Sequence, residues 1–390
     1  MTGKERVLNA LEHKEGDRVP THKHAMASSV ASEILGREVF VGSTSLFYEE
    51  AKAWLKGEKA HKEFEEKVWD DLIAITKYFE FDTISMPWRM MEKPTKQLDE
   101  YTFLYGEKNN DKSFNLWMPS WHVERFSPSS RTFGLIDSSD RYLQPEDIPR
   151  KVEQMEKDYA SSHHPLTEED FPGIKRLVDS FGDKLAVIGN VGMGMPITAP
   201  WLEAMLLRPE AIERYLDIQL ARALESLKTQ AKMGVKIFWG GADMASKSGP
   251  VYSPRLFHKF MLPRLQKVSE LCDKLNVYHI FKSDGNLWPV AEDLFVKSSI
   301  HGYVEIEGDA GMNLERLKKE YGHLTLWGNL STHLLRVGTV KEVIRETKNC
   351  IDKAAEGGGY VFSVSNAILY GTPPENVIAM YKTAKEYGKY

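Results

Sequence analysis

The chain has 390 residues, of which 51 are basic and 56 acidic, giving a formal net charge of −5 at pH 7. Hydrophobic residues make up 42% and charged residues 27%, which excludes intrinsic disorder over most of the chain. The acidic balance argues against a protein that follows nucleic-acid phosphates, because such proteins usually carry a basic excess. Two cysteines, Cys272 and Cys350, cannot form a disulfide framework, and no CxxC metal-binding pattern is present.

The N-terminal segment, residues 1–20, is charged throughout and lacks the apolar core of a secretion signal. No apolar run approaches the roughly 20 residues that a helix needs to cross a membrane. Together with the acidic charge balance, these two features predict a cytoplasmic protein that binds neither nucleic acid nor membrane.

The predicted elements begin with an amphipathic helix over residues 4–13 and a strand from Arg18 to Thr21, which runs into His22-Lys23-His24. A helical pattern over residues 62–78 then precedes a short β-rich run over residues 81–86. This alternation of helical and β patterns is typical of an α/β fold.

Residues 97–135 differ from the rest of the chain because they are rich in Tyr, Phe, Trp, Ser and Asn. They contain short alternating runs, for example over residues 114–118. The segment is too short to bury a core of its own. We therefore expect a β-hairpin insertion near the mouth of the fold, and no second domain.

The second half of the chain contains six β runs, each followed by a helical pattern. They cover residues 185–190, 235–241, 277–286, 302–308, 324–329 and 360–366. With the runs ending near residues 24 and 86, this gives eight, the number of strands in a (β/α)8 TIM barrel, and we expect residues 1–390 to form one such domain. The alternative is an open, doubly wound sheet. It is disfavoured because no GxGxxG follows an early strand; Gly192-x-Gly194 is only a fragment of that motif.

The active site of a barrel lies at the carboxyl ends of its strands, so polar residues at these ends are candidates for chemistry. They are His22, His24, Asn190, Asp243, Lys282, Asp284, Asn286, Glu305, Glu307, Asn329, Ser365 and Asn366. A Gly-Asn pair occurs at three of these ends, at residues 189–190, 285–286 and 328–329. Turn formation and ligand binding both account for these asparagines, and the sequence leaves both open.

Strand alternation sharpens the reading of residues 277–286. Lys282 and Asp284 share one face of the strand, and His279 lies on the opposite face, toward the surrounding helices. A lysine inside an otherwise apolar β run is costly unless it is paired or functional. We expect its partner to be Asp284, Asp243 or Glu307. The alternative is a buried ion-pair network that only holds the barrel together.

Methionines and aromatic residues are concentrated near the same strand ends, which predicts a broad apolar pocket for an aromatic or large flat ligand. The alternative interpretation is that these side chains only pack in the core. These residues are Met86, Trp88, Met90, Met91, Met193, Met195, Trp239, Met244, Tyr252 and Trp327. The i, i+2 spacing of His22 and His24 points two imidazoles to one side of a strand, but two ligands are too few to define a metal site.

Several segments carry recognisable motifs. They are KERVLNALEHKEGDRVP (4–20), GGAD (240–243), GPVYSPRLFHKFMLPRL (249–265), KSDGN (282–286), EIEGDAGMNLERLKKEYG (305–322), LWGNL (326–330) and, within 357–388, GGGY and TPPENVIAMYKTAKEYG. Together they resemble the uroporphyrinogen decarboxylase-like superfamily over nearly the whole chain. This resemblance implies a (β/α)8 barrel, in agreement with the strand count.

The superfamily contains decarboxylases of porphyrinogens, which carry an Arg-rich RQAGR motif after the first strand. The corresponding stretch here, PTHKHAMASS (20–29), has no arginine. The superfamily also contains methyltransferases that act on a corrinoid held by a separate protein. KSDGN and the stretch Glu307 to Met312 resemble the branch of corrinoid-dependent aryl-O-demethylase methyltransferases. The resemblance therefore implies a methoxylated aromatic substrate, a corrinoid cofactor and a corrinoid protein as partner.

Thiol- and methanol-pathway relatives bind zinc through a His-x-Cys pair on this strand and a second Cys after the last strand. Here those positions read Lys282, Asp284 and the region of Ser365 and Asn366, so the resemblance does not carry a zinc site over. Lys282, Asp284, Asp243 and Glu307 are the expected catalytic residues. The expected substrate-binding residues are His24, Trp88, Asn190, Met193, Tyr252, Asn286, Asn329 and Asn366.

Three alternatives remain open at this point. The first is a corrinoid-linked methyltransferase with an amine or thiol as methyl donor or acceptor, although the missing cysteines count against thiol activation. The second is a decarboxylase like those that define the superfamily. The third is a non-catalytic docking partner of a corrinoid protein.

Overall fold

A computed structural model describes residues 1–106, 119–162 and 164–390, so the alternating run at residues 114–118 lies outside the described residues. The strands follow one another as β1 (Thr83–Ile84), β2 (Lys96–Asp99), β3 (Thr102–Gly106), β4 (Trp121–Ser127), β5 (Thr132–Ser138), β6 (Ala186–Val191), β7 (Ile237–Gly240), β8 (Ala245–Ser246), β9 (Gly249–Pro250), β10 (Tyr278–Lys282), β11 (Gly302–Val304), β12 (Thr325–Leu330) and β13 (Tyr360–Val364).

The α-helices are α1 (Gly3–Leu11), α2 (Ser28–Leu35), α3 (Ser45–Leu55), α4 (Glu58–Phe79), α5 (Ile148–Ser162), α6 (Pro172–Phe181), α7 (Ala199–Leu207), α8 (Pro209–Lys232), α9 (Pro254–Leu256), α10 (Leu262–Leu275), α11 (Leu314–Glu320), α12 (Thr332–Val337), α13 (Val340–Ala354) and α14 (Pro374–Tyr387). Two π-helical segments cover Phe257–Met261 and Glu292–Lys297, and short 3-10 turns cover Ser139–Tyr142, Pro145–Asp147, Glu168–Asp170, Trp288–Val290 and Gly308–Ala310. None of the described helices combines the length and the apolar character that a membrane crossing requires.

Seven of the strands form one parallel sheet in the order β1-β6-β7-β10-β11-β12-β13. Thr21 fills the eighth position, because it bridges Phe362 on β13 in parallel and its carbonyl accepts the amide N–H of Asp82, which precedes β1, at 3.0 Å. Pro20 contributes a carbonyl but no N–H to this pairing, so the closing strand is short. The predicted (β/α)8 barrel is confirmed.

The amino-terminal end of the barrel is filled by α1. Its buried face, Val7, Ala10 and Leu11, packs against the inward side chains of the barrel strands. The carbonyl of Ala10 accepts the amide N–H of Gly359, which precedes β13, at 3.1 Å. The barrel is therefore plugged at this end, and its carboxyl end is the one that is available to a ligand.

Asp82 ties three segments together beside this plug. Its fully buried carboxylate is paired with Arg6 of α1 and Arg18, with Arg18 Nη1 at 2.8 Å from Oδ2. The same carboxylate accepts the backbone N–H of Thr21 at 2.7 Å. One side chain thus joins α1, the closing strand and the residue before β1.

The insertion is a four-stranded antiparallel sheet, β2-β3-β4-β5, and so larger than the single hairpin expected over residues 97–135. Its buried aromatic side chains pack on α3, where Tyr48 stacks on Phe126 with ring centroids 4.1 Å apart. The sheet shares a core with a helix, which is why it can be larger than a hairpin without a core of its own. Arg131, in the turn between β4 and β5, lies over the ring of Tyr370, which follows β13.

Candidate active site

The side chains of β10 alternate as the sequence predicts. Ile280 packs in the barrel interior, whereas Phe281 belongs to the cluster between barrel and helices. His279 Nδ1 lies 3.0 Å from Ser269 Oγ on α10, so this histidine is paired in the helix layer. Lys282 follows Ile280 on the inward face and reaches the carboxyl end of the barrel.

Glu305 is the direct partner of Lys282. Lys282 Nζ lies 3.1 Å from Glu305 Oε1, and His24 Nε2 lies 2.9 Å from the same oxygen. Glu305 follows β11 with a left-handed backbone, φ +70°, which is uncommon for a residue other than glycine. Because Val304 already faces the barrel interior, regular alternation would turn Glu305 away from it. Glu305 is therefore the close partner of Lys282 in place of the expected Asp284 or Glu307, and its inward orientation depends on the backbone angle φ.

The electrostatics of this group favour the charged forms. Burial raises the pKa of Glu305, but the hydrogen bond from His24 and the charge of Lys282 outweigh it, and the pKa lies below its ordinary value. Burial lowers the pKa of Lys282, but the carboxylates of Glu305 and Asp243 outweigh it, and that pKa is raised. An ionised carboxylate only accepts hydrogen bonds, so His24 carries a proton on Nε2.

Three more carboxylates, those of Asp243, Asp284 and Glu307, belong to the same group of charges as Lys282 and Glu305. Asp243 Oδ1 lies 3.9 Å from Lys282 Nζ, and its side chain is 67% exposed. Asp284 Oδ2 accepts a hydrogen bond from Asn366 Nδ2 at 2.9 Å, and Glu307 Oε2 accepts the amide N–H of Gly285 at 3.2 Å. Burial, followed by the charges of its acidic neighbours, raises the pKa of Asp284 to about 6. The carboxyl ends of β7, β10 and β11 thus bring four acidic side chains and Lys282 into one charged group.

Aromatic rings line the barrel interior around His24. The ring of His22 lies 4.9 Å from Trp239 and 5.5 Å from Trp327, and His22 Nδ1 lies 2.6 Å from Thr83 Oγ1. Burial holds the pKa of His22 well below its ordinary value, so its imidazole is neutral. Among the described residues, buried polar atoms without a hydrogen-bond partner include His22 Nε2, His24 Nδ1, Trp239 Nε1, Glu305 Oε2 and Trp327 Nε1. These atoms give the interior next to Lys282 an unused hydrogen-bonding capacity.

The asparagines at the strand ends have different environments. Asn366 contacts Asp284, as described above, and Asn190 is solvent-exposed at the end of β6. Asn286 accepts the amide N–H of Trp288 at 3.1 Å, which is the turn role that the sequence left open. Asn329 Oδ1 lies 3.6 Å from the thiol of Cys350 on α13, so its amide is engaged with the helix layer. Neither Asn286 nor Asn329 is brought into the charged group.

The apolar residues expected to bind substrate are also divided. Met193 and Tyr252 are buried in the core, and the hydroxyl of Tyr252 lies 3.8 Å from Met244 Sδ. Burial raises the pKa of Tyr252 above its ordinary value. Trp88 is 69% exposed and packs edge-on against Phe47 of α3. Met193 and Tyr252 therefore follow the core-packing alternative, because their side chains are enclosed by neighbours, whereas Trp88 stands on the surface.

The described residues do not fit a zinc site. The rings of His22 and His24 are 6.0 Å apart, and no group of three or more His, Cys, Asp or Glu side chains in residues 1–106, 119–162 and 164–390 is arranged to hold a metal ion. The ammonium of Lys282 already provides the cation next to Glu305.

Large apolar side chains are exposed on segments that follow the carboxyl ends of the strands. We call them the apolar rim: Trp88, Met91, Leu135, Ile136, Tyr142, Ile197, Leu206, Leu207, Val251, Leu369 and Tyr370. Exposed apolar side chains on the segments at the open end of a barrel can serve as a binding surface.

Fold and site together define a (β/α)8-barrel protein with a charged group at the carboxyl ends of its strands. The family model described as uroporphyrinogen decarboxylase (URO-D) matches residues 149–387, more than half of the chain. The chain belongs to this family.

Curated relatives of the chain carry two different names. A uroporphyrinogen decarboxylase of Geotalea uraniireducens is 26% identical over 241 residues, 55% of this chain and 66% of the relative. A methylcobamide:CoM methyltransferase of Methanosarcina barkeri is 28% identical over 230 residues, 55% of this chain and 62% of the relative. The matches thus span slightly less than two thirds of the relatives' own length.

A solved structure of a methyltransferase from Methanosarcina mazei aligns with 99% of this chain and 99% of its own, with a TM-score of 0.63 and 19% sequence identity. This likeness supports the barrel fold over the whole chain.

Proposed function

We propose that this protein transfers the methyl group of a methoxylated aromatic compound to the cobalt(I) corrinoid of a partner protein. The observation that carries the proposal is the ammonium group of Lys282, held on a buried carboxylate at the carboxyl end of the barrel. The motifs KSDGN and Glu307 to Met312, and the similarity to a methylcobamide:CoM methyltransferase, support the reaction class.

An aryl methyl ether needs help to release its oxygen as a phenolate. The bond between methyl carbon and aryl oxygen breaks, and the oxygen keeps the electron pair. Lys282 stabilises the negative charge that develops on this oxygen and supplies the proton that makes it a phenol. Glu305 and Asp243 keep the lysine charged until the substrate arrives. A fixed cation of this kind takes the place of a Lewis acid.

The corrinoid supplies the nucleophile that accepts the methyl group. This chain has to hold the ether in line with that nucleophile and to exclude water from it. Trp239, which is only partly buried, offers an aromatic face in the barrel interior, and Asn190 and Asn366 offer polar contacts at its mouth. The apolar rim is a suitable surface for the corrinoid protein.

Decarboxylation of a porphyrinogen is the second candidate, because several curated relatives carry that name. A substrate with several carboxylates would approach the carboxylates of Asp243, Asp284, Glu305 and Glu307. Charges of the same sign repel one another. The charge of the site therefore favours a neutral ether over a polycarboxylate.

The experiment that separates the two is an assay with 2-methoxyphenol and with a porphyrinogen, each with and without reduced corrinoid protein. We expect catechol to form only from the methoxyphenol and only when reduced corrinoid protein is present. Carbon dioxide release from the porphyrinogen, or demethylation without corrinoid, would overturn the proposal. Turnover of a methylamine or methyl thiol, but of no aryl ether, would show that the methyl donor is an amine or a thiol.

A further inference from the structure

One carboxylate oxygen lies at the centre of the charged group. Glu305 Oε1 receives both the ammonium of Lys282, at 3.1 Å, and the imidazole N–H of His24, at 2.9 Å. The side chain of Glu305 is only 4% exposed. Other titratable groups near this pair come from several segments: His22 before β1, Asp243 after β7, Asp284 after β10, and Tyr303 and Glu307 on and after β11.

The backbone of Glu305 is in a conformation that a side chain disfavours. A φ of +70° costs free energy for a residue with a Cβ, and such conformations persist where the surroundings hold them in place. Its Oε2 is buried and has no hydrogen-bond partner among the described residues. The carboxylate is therefore held through Oε1 alone, by Lys282 and His24.

We propose that Glu305 is a positioning residue that fixes the ammonium of Lys282 beside the reacting oxygen and keeps it charged, while His24 fixes the carboxylate. The identity of the reacting oxygen rests on the proposed function. The coupling between Glu305 and Lys282 does not, because it follows from the contacts alone.

Removal of the charge at Glu305 leaves Lys282 with a weaker partner. Asp243 is 3.9 Å away and largely exposed, so water screens its charge. The burial that disfavours the ammonium form would then prevail, and the amine would lose its proton at a lower pH. This change can be measured without any turnover.

The test is reductive methylation of the folded full-length chain with isotope-labelled formaldehyde and cyanoborohydride, which modifies only neutral amines. Mass spectrometry follows the peptide that contains Lys282 between pH 6 and pH 10, with exposed Lys247 as the internal reference. In Glu305→Gln we expect Lys282 to be labelled about tenfold faster than in the parent protein, which corresponds to a pKa lower by about one unit. The ratio to Lys247 makes the result independent of reagent strength.

Glu50→Gln is the matched control. Glu50 is also a fully buried carboxylate that accepts a histidine N–H, from His61 at 2.9 Å, and pairs with a cation, Arg89, but in the region of α3 and α4. This variant should leave the labelling profile of Lys282 unchanged. Glu305→Asp retains the charge in a residue that tolerates left-handed backbone better than most, and should keep Lys282 slow to react.

An unchanged labelling profile of Lys282 in a folded Glu305→Gln protein would overturn the inference. A purely structural role would lower the melting temperature of the variant without changing that profile. Under the proposed function, Glu305→Gln should also lower kcat for 2-methoxyphenol with little change in KM and move the pH optimum downward. If the parent protein demethylates nothing, the proposed function fails, and the labelling still decides the role of Glu305.

Discussion

At the scale of single residues, Lys282 is the group whose loss should matter most for turnover. Lys282 ends β10, and its ammonium group contacts the buried carboxylate of Glu305, which follows β11. Loss of one such charged donor usually costs on the order of 100-fold or more in rate. We expect Lys282→Ala to lower kcat for 2-methoxyphenol by about this factor while the circular dichroism spectrum stays the same.

Lys247→Ala is the control for this variant, since Lys247 is exposed in the turn between β8 and β9. It should keep the parent rate. A chelator should not inhibit the parent protein either. Stoichiometric zinc with chelator-sensitive activity, or near-normal rates in Lys282→Ala, would show that the role given to this lysine is wrong.

Asp284 gives a prediction about stability. Its pKa is about 6 in the folded protein against an ordinary 3.8, so the folded state binds more protons than the unfolded chain between these values. Stability is therefore lost as the pH rises through this window, and the loss is complete above about pH 6. Asp284→Asn avoids this cost. Its melting temperature should exceed that of the parent by a few degrees at pH 8 and equal it near pH 4.

Thermal unfolding at the two pH values checks this, with the exposed Asp309→Asn as a control that should show no such difference. A melting temperature of Asp284→Asn that is unchanged or lower at pH 8 would contradict the account. In that case the hydrogen bond from Asn366 would stabilise the carboxylate more than burial disfavours it.

The sequence was sufficient to predict that Lys282, Asp243, Asp284 and Glu307 lie near one another, because the carboxyl ends of parallel strands meet at one end of a barrel. It was not sufficient to identify Glu305 as the partner of the lysine. Alternation from Val304 turns Glu305 outward, and only the left-handed backbone at this residue, which has no pattern in the sequence, turns it inward.

At the scale of secondary-structure elements, Asp82 holds α1, the closing strand and the start of β1 together. Removal of one partner from a buried ion pair is strongly destabilising, typically by about 3–5 kcal/mol, because it leaves charges uncompensated. Asp82→Ala should therefore lower the free energy of unfolding by about this amount in urea titrations.

Asp17→Ala provides the comparison, since Asp17 pairs with the same Arg6 but its side chain is 49% exposed. Exposed pairs contribute about 1 kcal/mol or less. Equal effects of the two substitutions would mean that Asp82 does not join the three segments.

Alternation of β and helical patterns predicted most elements, since buried parallel strands are apolar runs separated by amphipathic helices. The insertion was harder to predict. Its aromatic residues indicated β structure, but the third and fourth strands depend on packing against α3, a contact between segments that are distant in the sequence.

At the scale of the whole molecule, the apolar rim provides a test of the corrinoid protein as partner. Leu206 and Leu207 are 69% and 52% exposed at the end of α7, in the segment that follows β6. A glutamate at either position would be desolvated in a docked complex. Leu206→Glu should raise KM for the corrinoid protein at least about tenfold, which is the effect of about 1.4 kcal/mol.

The same variant should accept free reduced cobalamin as well as the parent protein does, because no docking is needed. Val296→Glu, in the π-helical segment Glu292–Lys297, is the control, because Val296 lies beside Leu11 and His13 at the opposite, amino-terminal end of the barrel. If both variants lower the rate with the corrinoid protein equally, the apolar rim is not the docking surface.

The most direct test of the central claim is to follow the methyl group itself. The protein, reduced corrinoid protein and 2-methoxyphenol with a trideuterated methyl group are mixed, and the products are analysed by mass spectrometry. The account predicts one trideuteromethyl group on the corrinoid for each catechol formed, with the aryl oxygen retained in the catechol. Trideuterated methanol as the product, incorporation of oxygen from labelled water into the catechol, or no transfer at all would contradict it.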